Sequence, residues 1–318
     1  MKLTLKALAT AAGLALLSGA AMAQDIVVIA GSVEDAFMDK IKKGVDDATP
    51  MVVANGGTVQ FLRTQNYENF GPDLVTLINQ AVAQGAKGIA IPVWVPDAQI
   101  PALKAARDAG VVIMQYNSGL PVMGDIGAIN YFGSDEYAAG VGGGKYLAEH
   151  GAKHIVCHIQ VPGAINLTER CKGVTDGAKA AGATVTVLET PPNLDGDVTG
   201  TAEAFKAALI GDPSIDALVS CADFGAAAAA NAVEQTGTKL MIGAFDFSPA
   251  SLDRIKAGTQ TMAIDQQPYL QGFLATSMLF AYLKFGTNIS TTPVLTGPAI
   301  IDAANVDAVV AGAALGAR

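Results

Sequence analysis

Short apolar runs rich in Val, Ile and Ala return along this chain with room for a helix between each pair, and no other feature restricts its fold so strongly. They occupy residues 25–32, 58–64, 88–93, 111–118, 154–160, 184–190, 217–222, 240–246 and 259–266. The runs are apolar on both faces, as strands buried inside a parallel sheet are. Between them apolar residues recur at helical spacing, first at Phe37, Ile41, Val45 and Ala48, then at Leu74, Leu77, Ile78, Ala81 and Val82. Glycines close these patterns at Gly56, Gly85, Gly110, Gly151 and Gly182. Strand–helix repeats with short loops predict a doubly wound α/β fold.

The pattern runs twice, over residues 25–127 and again over 154–258. Residues 127–135 read as a strand crossing from one sheet to the other, with return crossings at 259–266 and 293–297. The predicted fold is two doubly wound parallel-sheet lobes joined by a three-segment hinge. The first lobe takes residues 24–133 and 267–294, and the second takes 134–266 and 295–318. A cleft between the carboxyl ends of two such sheets is where ligands of open α/β folds bind.

The amino terminus has a different character. Lys2 and Lys6 precede a short run of Ala, Leu and Gly at 7–17, and Ala21-Met22-Ala23 forms an A-x-A site before Gln24. This predicts a secretory signal peptide over residues 1–23, too short to span a bilayer, with no Cys after the cleavage site to carry lipid. The chain is then exported to an oxidising compartment without ATP or nicotinamide cofactors. A formal net charge of −9, on a chain whose leader carries only basic residues, disfavours nucleic acid and anionic lipid as partners.

Six stretches carry a resemblance: IVVIAGSVEDAFMDKIKKGVDDA at 26–48, AQGAKGIAIPVWVPDAQIPALKAARDAGVVIMQYNS at 83–118, FGSDEYAAG at 132–140, NLTERCKGV at 166–174, IGAFDFSP at 242–249 and TMAIDQQPYLQG at 261–272. In this order and spacing they resemble the periplasmic solute-binding proteins of the ribose/galactose type, which serve ABC transporters. The resemblance covers nearly all of the chain after the leader. It implies a periplasmic monomer that needs no cofactor, closes its lobes on a small polar solute such as a sugar or polyol, and delivers it to a membrane permease. The same scaffold also serves signal receptors for furanone-like autoinducers or chemoreceptor ligands, and ligand identity separates the two.

Several residues match the family's ligand contacts. Phe37 matches an aromatic that stacks on a sugar ring, Asn117 a polar pocket residue, Arg170 an arginine on ring or hydroxyl oxygens, Asp246 a carboxylate that accepts hydroxyls, and Gln266 a pocket amide at the hinge. Departures accompany these matches. Asp35-Ala36-Phe37-Met38 stands where Asn-Pro-Phe-Phe is frequent, Ala222-Asp223 where Asn-Asp is usual, Asn117-Ser118 where Asp-Arg is frequent, and Leu194 where an aromatic is expected. The pocket is therefore not read as a ribose pocket.

Each candidate also has a plain structural reading. Asp246 is a cleft carboxylate or the N-cap of a helix over 248–255, and Arg170 a ligand contact or a surface partner of Glu169. Gln266 and Asn117 serve the cleft or the hinge and its turns. Phe37 stacks on ligand or belongs to the core stripe with Ile41, and Trp94, the only tryptophan, sits at the cleft edge or packs a loop. Asp35 and neighbouring Glu34 are acceptors or helix N-terminal charges. Asp223 and Asp135 are pocket acceptors or caps. Chemically the set suits a polyhydroxylated ring, with C–H faces against aromatics and hydroxyls on charged or amide groups of fixed geometry.

Cys157 lies about 13 Å back from the end of its strand and Cys171 about 12 Å back along the next helix, which brings them to the same height. A Cys157–Cys171 disulfide fits an exported chain, with Cys221 as a buried thiol. No cysteine spacing resembles a zinc site. His150, His154 and His158 do not share one helical face, and neither G-x-S-x-G nor H-E-x-x-H occurs, so no enzyme is read here. Gly142-Gly143-Gly144-Lys145 lacks phosphate-loop spacing and reads as a close-packed helix near the lobe interface.

Overall fold

The structure, a computed structural model, describes residues 25–318. The signal peptide and its cleavage site lie outside the described residues. The first repeat gives β1 (Ile26–Ala30), α1 (Ala36–Ala54), β2 (Val59–Arg63), α2 (Phe70–Ala83), β3 (Gly88–Ile91), α3 (Pro96–Asp108), β4 (Val112–Asn117), a short α4 (Met123–Ile126) and β5 (Tyr131–Ser134). The second gives α5 (Glu136–Glu149), β6 (His154–Ile159), α6 (Ile165–Ala180), β7 (Thr184–Glu189), α7 (Val198–Gly211), β8 (Ala217–Ser220), α8 (Asp223–Thr236), β9 (Met241–Phe245), α9 (Pro249–Lys256) and β10 (Met262–Asp265). Then α10 (Pro268–Phe285) and β11 (Val294–Gly297) return to the first lobe, and β12 (Ala299–Ile301) and α11 (Asp307–Ala314) end the second.

The sheets run β11-β5-β4-β3-β1-β2 and β12-β10-β9-β8-β6-β7. Position by position, β4 of one corresponds to β9 of the other and β1 to β6. All pairs are parallel except β10 with β12. Central strands are sealed on both faces; every residue of β1 is fully buried. The edge strand β7 departs from that expectation, since its outer face meets solvent and Val187 is 46% exposed. Tertiary position, not local apolarity, decides which strand is an edge.

The chain crosses between lobes after β5, after β10 and between β11 and β12. The third crossing falls later than the sequence suggested. Residues 294–297 are not a bridge into the second lobe but the strand β11, paired with β5 in the first sheet, and the chain changes lobe at Pro298. Likewise residues 127–135 are not a strand that crosses between sheets: β5 begins only at Tyr131 and stays in the first sheet, and the chain crosses after Ser134.

Helices flanking the hinge pack closely through glycine. A Cβ on Gly140 would strike the carbonyl oxygen of Arg170, and one on Gly144 that of Val174; Gly173 and Gly177 meet α5 in the same way. The glycine-rich stretch of α5 is thus a contact surface for α6. In the first lobe Gly44 of α1 and Gly272 of α10 repeat the device.

Candidate functional site

A cavity of about 440 Å³ lies between the lobes at the carboxyl ends of both sheets. Asn117 and Asp246, at the ends of the corresponding strands β4 and β9, face each other's lobe here. Both have left-handed backbones, with φ of 60° and 64°, and Gln267 at the hinge is the only other non-glycine residue like them among those described. Asn and Asp tolerate that region better than most residues, and such strained conformations gather at binding sites. The left-handed turn frees Asp246 from capping: α9 is capped instead by Ser248, whose side chain accepts from Ser251 N.

Arg170 reaches the cleft from α6 and is almost wholly buried. Its partner is Glu136 rather than the neighbouring Glu169: Nε donates to Glu136 Oε2 at 2.6 Å, and Nη1 to the carbonyl of Cys221 at 2.8 Å. Its guanidinium carbon lies 4.4 Å from the centre of the Phe245 ring. A buried guanidinium needs such partners to hold its charge and its plane. Burial pushes the Asp246 carboxyl up to about 7 against the opposing pull of Arg170, Lys40 and the Gln266 hydrogen bond. Gln266 Nε2 donates to both carboxylate oxygens, at 2.8 and 3.1 Å.

The hinge ties these groups together. Asn117 Nδ2 donates to Gln271 Oε1 at 3.0 Å, and Gln271 Nε2 donates to the Gln266 carbonyl at 3.0 Å. Thr296 Oγ1 donates to that same carbonyl at 2.7 Å.

Aromatic rings form the first-lobe wall. Phe37 and Trp94 both line it, together with Tyr67 and Phe70, which the sequence reading did not single out. Phe70 packs between Tyr67 and Trp94, with ring centres 4.7 and 5.1 Å away. Trp94 is itself 3% exposed, so part of its role is to back Phe70. Tyr67 lies in the loop before α2 and Phe70 opens that helix, so the sequence offered only an isolated Tyr and Phe outside any periodic pattern. Phe224 and Phe247 stand on the second-lobe side.

Asp35 caps α1 through Phe37 N at 2.8 Å and accepts from Tyr67 Oη at 2.6 Å. It lies on the cavity wall, so cap and cleft roles coincide. Across from it Asp195, from the loop before α7, is pushed up to about 7 by burial, with Asp35 and Glu34 adding repulsion. No sequence pattern marked Asp195. Asp223 also lines the cavity, where its carboxylate accepts from Ser251 Oγ. Asp135 does not: it caps α5 through Ala138 N and faces a separate cavity.

Two hydrogen bonds span the cleft. Lys40 Nζ of the first lobe donates to the Phe247 carbonyl at 2.6 Å, and Ile165 N of the second donates to the Trp94 carbonyl at 2.8 Å. Within the cavity the donors of Lys40, Tyr67, Asn117 and Gln266 already serve protein acceptors. Gln160 Oε1, Asn166 Oδ1 and Gln266 Oε1 are buried on the same wall without a partner. Those acceptors ask for donors from whatever fills the site, while the Arg170 guanidinium, bonded only through Nε and Nη1, keeps donors of its own.

Cys157 and Cys171 are joined in a disulfide with Cα atoms 5.7 Å apart, and Cys221 is a buried free thiol 3.7 Å from the Cys171 sulfur. Among the described residues the three cysteines are the only cluster close enough to hold a metal, and two of them are bonded to each other. His158 is a core residue between Ser220 and Thr190, its pKa lowered to about 4 by burial.

Two doubly wound lobes about a polar, aromatic-walled cleft are the architecture of the type I periplasmic binding proteins. The chain belongs to that family: the model of the periplasmic binding protein domain matches residues 26–288. It is 32% identical to a carbohydrate transporter from Acidothermus cellulolyticus solved in complex with myo-inositol, covering 93% of this chain and 100% of that one with a TM-score of 0.85. A solute-binding protein from Burkholderia graminis, solved with D-arabinose, shares the fold at 24% identity, covering 89% and 97% of the two chains with a TM-score of 0.75. The xylose/arabinose-binding protein XylF of Sulfolobus acidocaldarius is 26% identical over 258 residues, 74% of this chain. The chain spans 62% of that relative's length. These relatives are named as binding and transport proteins, not enzymes, and the family implies a periplasmic or extracellular location.

Proposed function

We propose that this protein is the solute-binding component of an ABC importer and that its cargo is a neutral cyclitol or monosaccharide. After export and cleavage behind Ala23 it works in the periplasm as a monomer. The observation that carries the reading is the acceptor-rich cleft: Gln160 and Gln266 each keep a buried amide oxygen without a protein partner, and the carboxylates of Asp35, Asp195 and Asp246 line the same cavity, with Lys40 and Arg170 as its cations. A ring bearing hydroxyls all round supplies those donors, and its C–H faces lie against Phe37 and the Tyr67–Phe70–Trp94 wall. Sugar acids and phosphates meet repelling carboxylates. The relative solved with myo-inositol puts cyclitols first among the candidates.

Uptake proceeds by closure about the three crossings. The ligand enters between separated lobes, Arg170 and Asp246 engage it from one side and the aromatic wall from the other, and the Lys40 and Ile165 bonds form behind it. The permease then reads the closed shape. A thermal-shift and calorimetric screen of myo-inositol, scyllo-inositol, arabinose, xylose, glucose and galactose tests this, with glucuronate and furanone signals alongside. A ligand at a hundred times its dissociation constant stabilises by about 2.7 kcal/mol. Saturable binding of a cyclitol or neutral sugar supports the proposal; binding confined to glucuronate or to furanones overturns it.

A further inference from the structure

A second cavity of about 400 Å³ lies beside the cleft, also walled by both lobes. Its first-lobe side is Gly119, Leu120 and Pro121, just past β4; its second-lobe side is the start of α5 and the first turns of α6. Asn166 lines both cavities. Glu136 stands on the wall of this chamber, and its ion-pair partner Arg170 on the wall of the cleft. Ile165, whose amide bonds the Trp94 carbonyl, belongs to the side chamber, and Trp94 to the cleft.

The chamber has acceptors in excess. Glu136 and Asn166 are 6% and 7% exposed, and Glu136 Oε1 and Asn166 Oδ1 have no hydrogen-bond partner. Asp135 and Glu169 add carboxylates at the rim. Lys172 is the one cation on this wall, and its ammonium lies 3.9 Å from Glu169. Buried acceptors of this kind find a donor in most proteins, from solvent or from a ligand. An anion is repelled here. A bare metal ion does not fit either, because no three carboxylates of the chamber come close enough to share one. Leu120, Pro121 and Ile165 offer apolar surface beside the acceptors.

We propose that this side chamber binds a small primary amine, with its ammonium directed at Glu136 and Asn166 and its carbon chain along Leu120 and Pro121. The walls belong to different lobes, so an occupant favours the arrangement in which they stand together. By linkage it tightens binding in the cleft, and cleft binding tightens the amine by the same factor. The chamber's own chemistry stands whatever sugar the cleft takes.

The test is a ¹⁵N NMR titration of the purified protein with ethanolamine, with glycerol and acetate in parallel. Ethanolamine produces saturable shifts at the amides of Gly119, Tyr137 and Lys172 at millimolar concentration, and acetate produces none. The double variant Asp135→Asn/Glu169→Gln weakens this binding by roughly threefold to tenfold, as loss of half-buried charge attraction at the rim does. Leu120→Trp, which fills the chamber without altering either buried acceptor, abolishes it. Saturating ethanolamine lowers the dissociation constant of myo-inositol several-fold. The proposal is overturned by the absence of saturable shifts, by shifts centred on Asp35 and Asp195, or by equal binding of glycerol. Amine shifts with an unchanged myo-inositol constant overturn the coupling. A protein that ignores myo-inositol and every other neutral ring refutes the cleft assignment, and the amide shifts still decide the chamber.

Discussion

Asn117 and Asp246 occupy equivalent places in the two lobes, each at the end of the corresponding strand and each with a left-handed backbone, φ 60° and 64°. The duplicated fold thus presents a polar side chain from each sheet to one cavity by the same backbone turn. They are not alike in partners. Asn117 is anchored to Gln271 of the hinge helix, whereas Asp246 is held only by Gln266 and lies within the electrostatic reach of Arg170 and Lys40. Of this pair, the second lobe therefore supplies the charged member.

Replacing Asp246 with Ala should weaken binding of the cognate sugar or cyclitol by about tenfold to a hundredfold, the loss of a hydrogen bond to a charged group. Far-ultraviolet circular dichroism should stay unchanged. Calorimetric titration of wild type and variant gives the comparison, and affinity preserved within twofold would remove Asp246 from the site.

Glu136→Leu should cost far more stability than its neighbour Glu169→Leu. Glu136 and Arg170 have side chains 6% and 4% exposed, and breaking a buried pair from one side typically costs about 3–5 kcal/mol. The guanidinium also loses the bond that fixes its plane, so ligand affinity should fall with stability. Urea unfolding of both variants measures the contrast.

The Asp195 carboxyl has an ordinary value of 3.8 and a folded value of about 7, raised by burial and by Asp35 and Glu34. A raised carboxyl favours the folded state while it stays protonated. Its contribution is full below the ordinary value and is lost as pH climbs from about 4 to about 7. Asp195→Asn should therefore raise the melting temperature relative to wild type at pH 8 and have little effect at pH 4. Equal differences at both pH values would show that Asp195 ionises normally.

The Cys157–Cys171 bond closes a loop with a sequence separation of 14. Replacing both residues with Ser should cost about 3 kcal/mol on the chain-entropy account. Since Arg170 precedes Cys171 on α6, a loss of affinity accompanying the loss of stability would show that the bond also positions the guanidinium. Chemical unfolding and calorimetry together separate the two effects.

The strands and helices were legible because each carries its own period, and the glycines after helices marked where the chain turns. Asp246, Arg170, Gln266, Asn117 and Phe37 were legible as candidates through the resemblance of their motifs to the family's ligand contacts, and Trp94, Asp35 and Asp223 because they follow strand ends at one edge of a duplicated sheet. All eight line the cavity. Asp135 also follows a strand end and still lies outside the cavity: it caps α5 and lines the side chamber instead.

Tyr67, Phe70 and Asp195 left no mark in the sequence, since Tyr67 and Asp195 sit in loops and Phe70 at the first residue of α2, where the path of the chain is set by what it packs against. The same holds for the choice of partner at Arg170. Glu169 is adjacent in sequence, but the close glycine contact of α5 with α6 brings Glu136 nearer. The third crossing was misplaced for a related reason, because whether residues 294–297 pair with β5 or bridge to the second lobe is decided by a hydrogen-bonding edge far away in the chain. Local periodicity determined the elements and the duplicated order of this protein. Only the tertiary structure decided which unpaired acceptors share a cavity, because that depends on two lobes meeting across a hinge and not on any window of sequence.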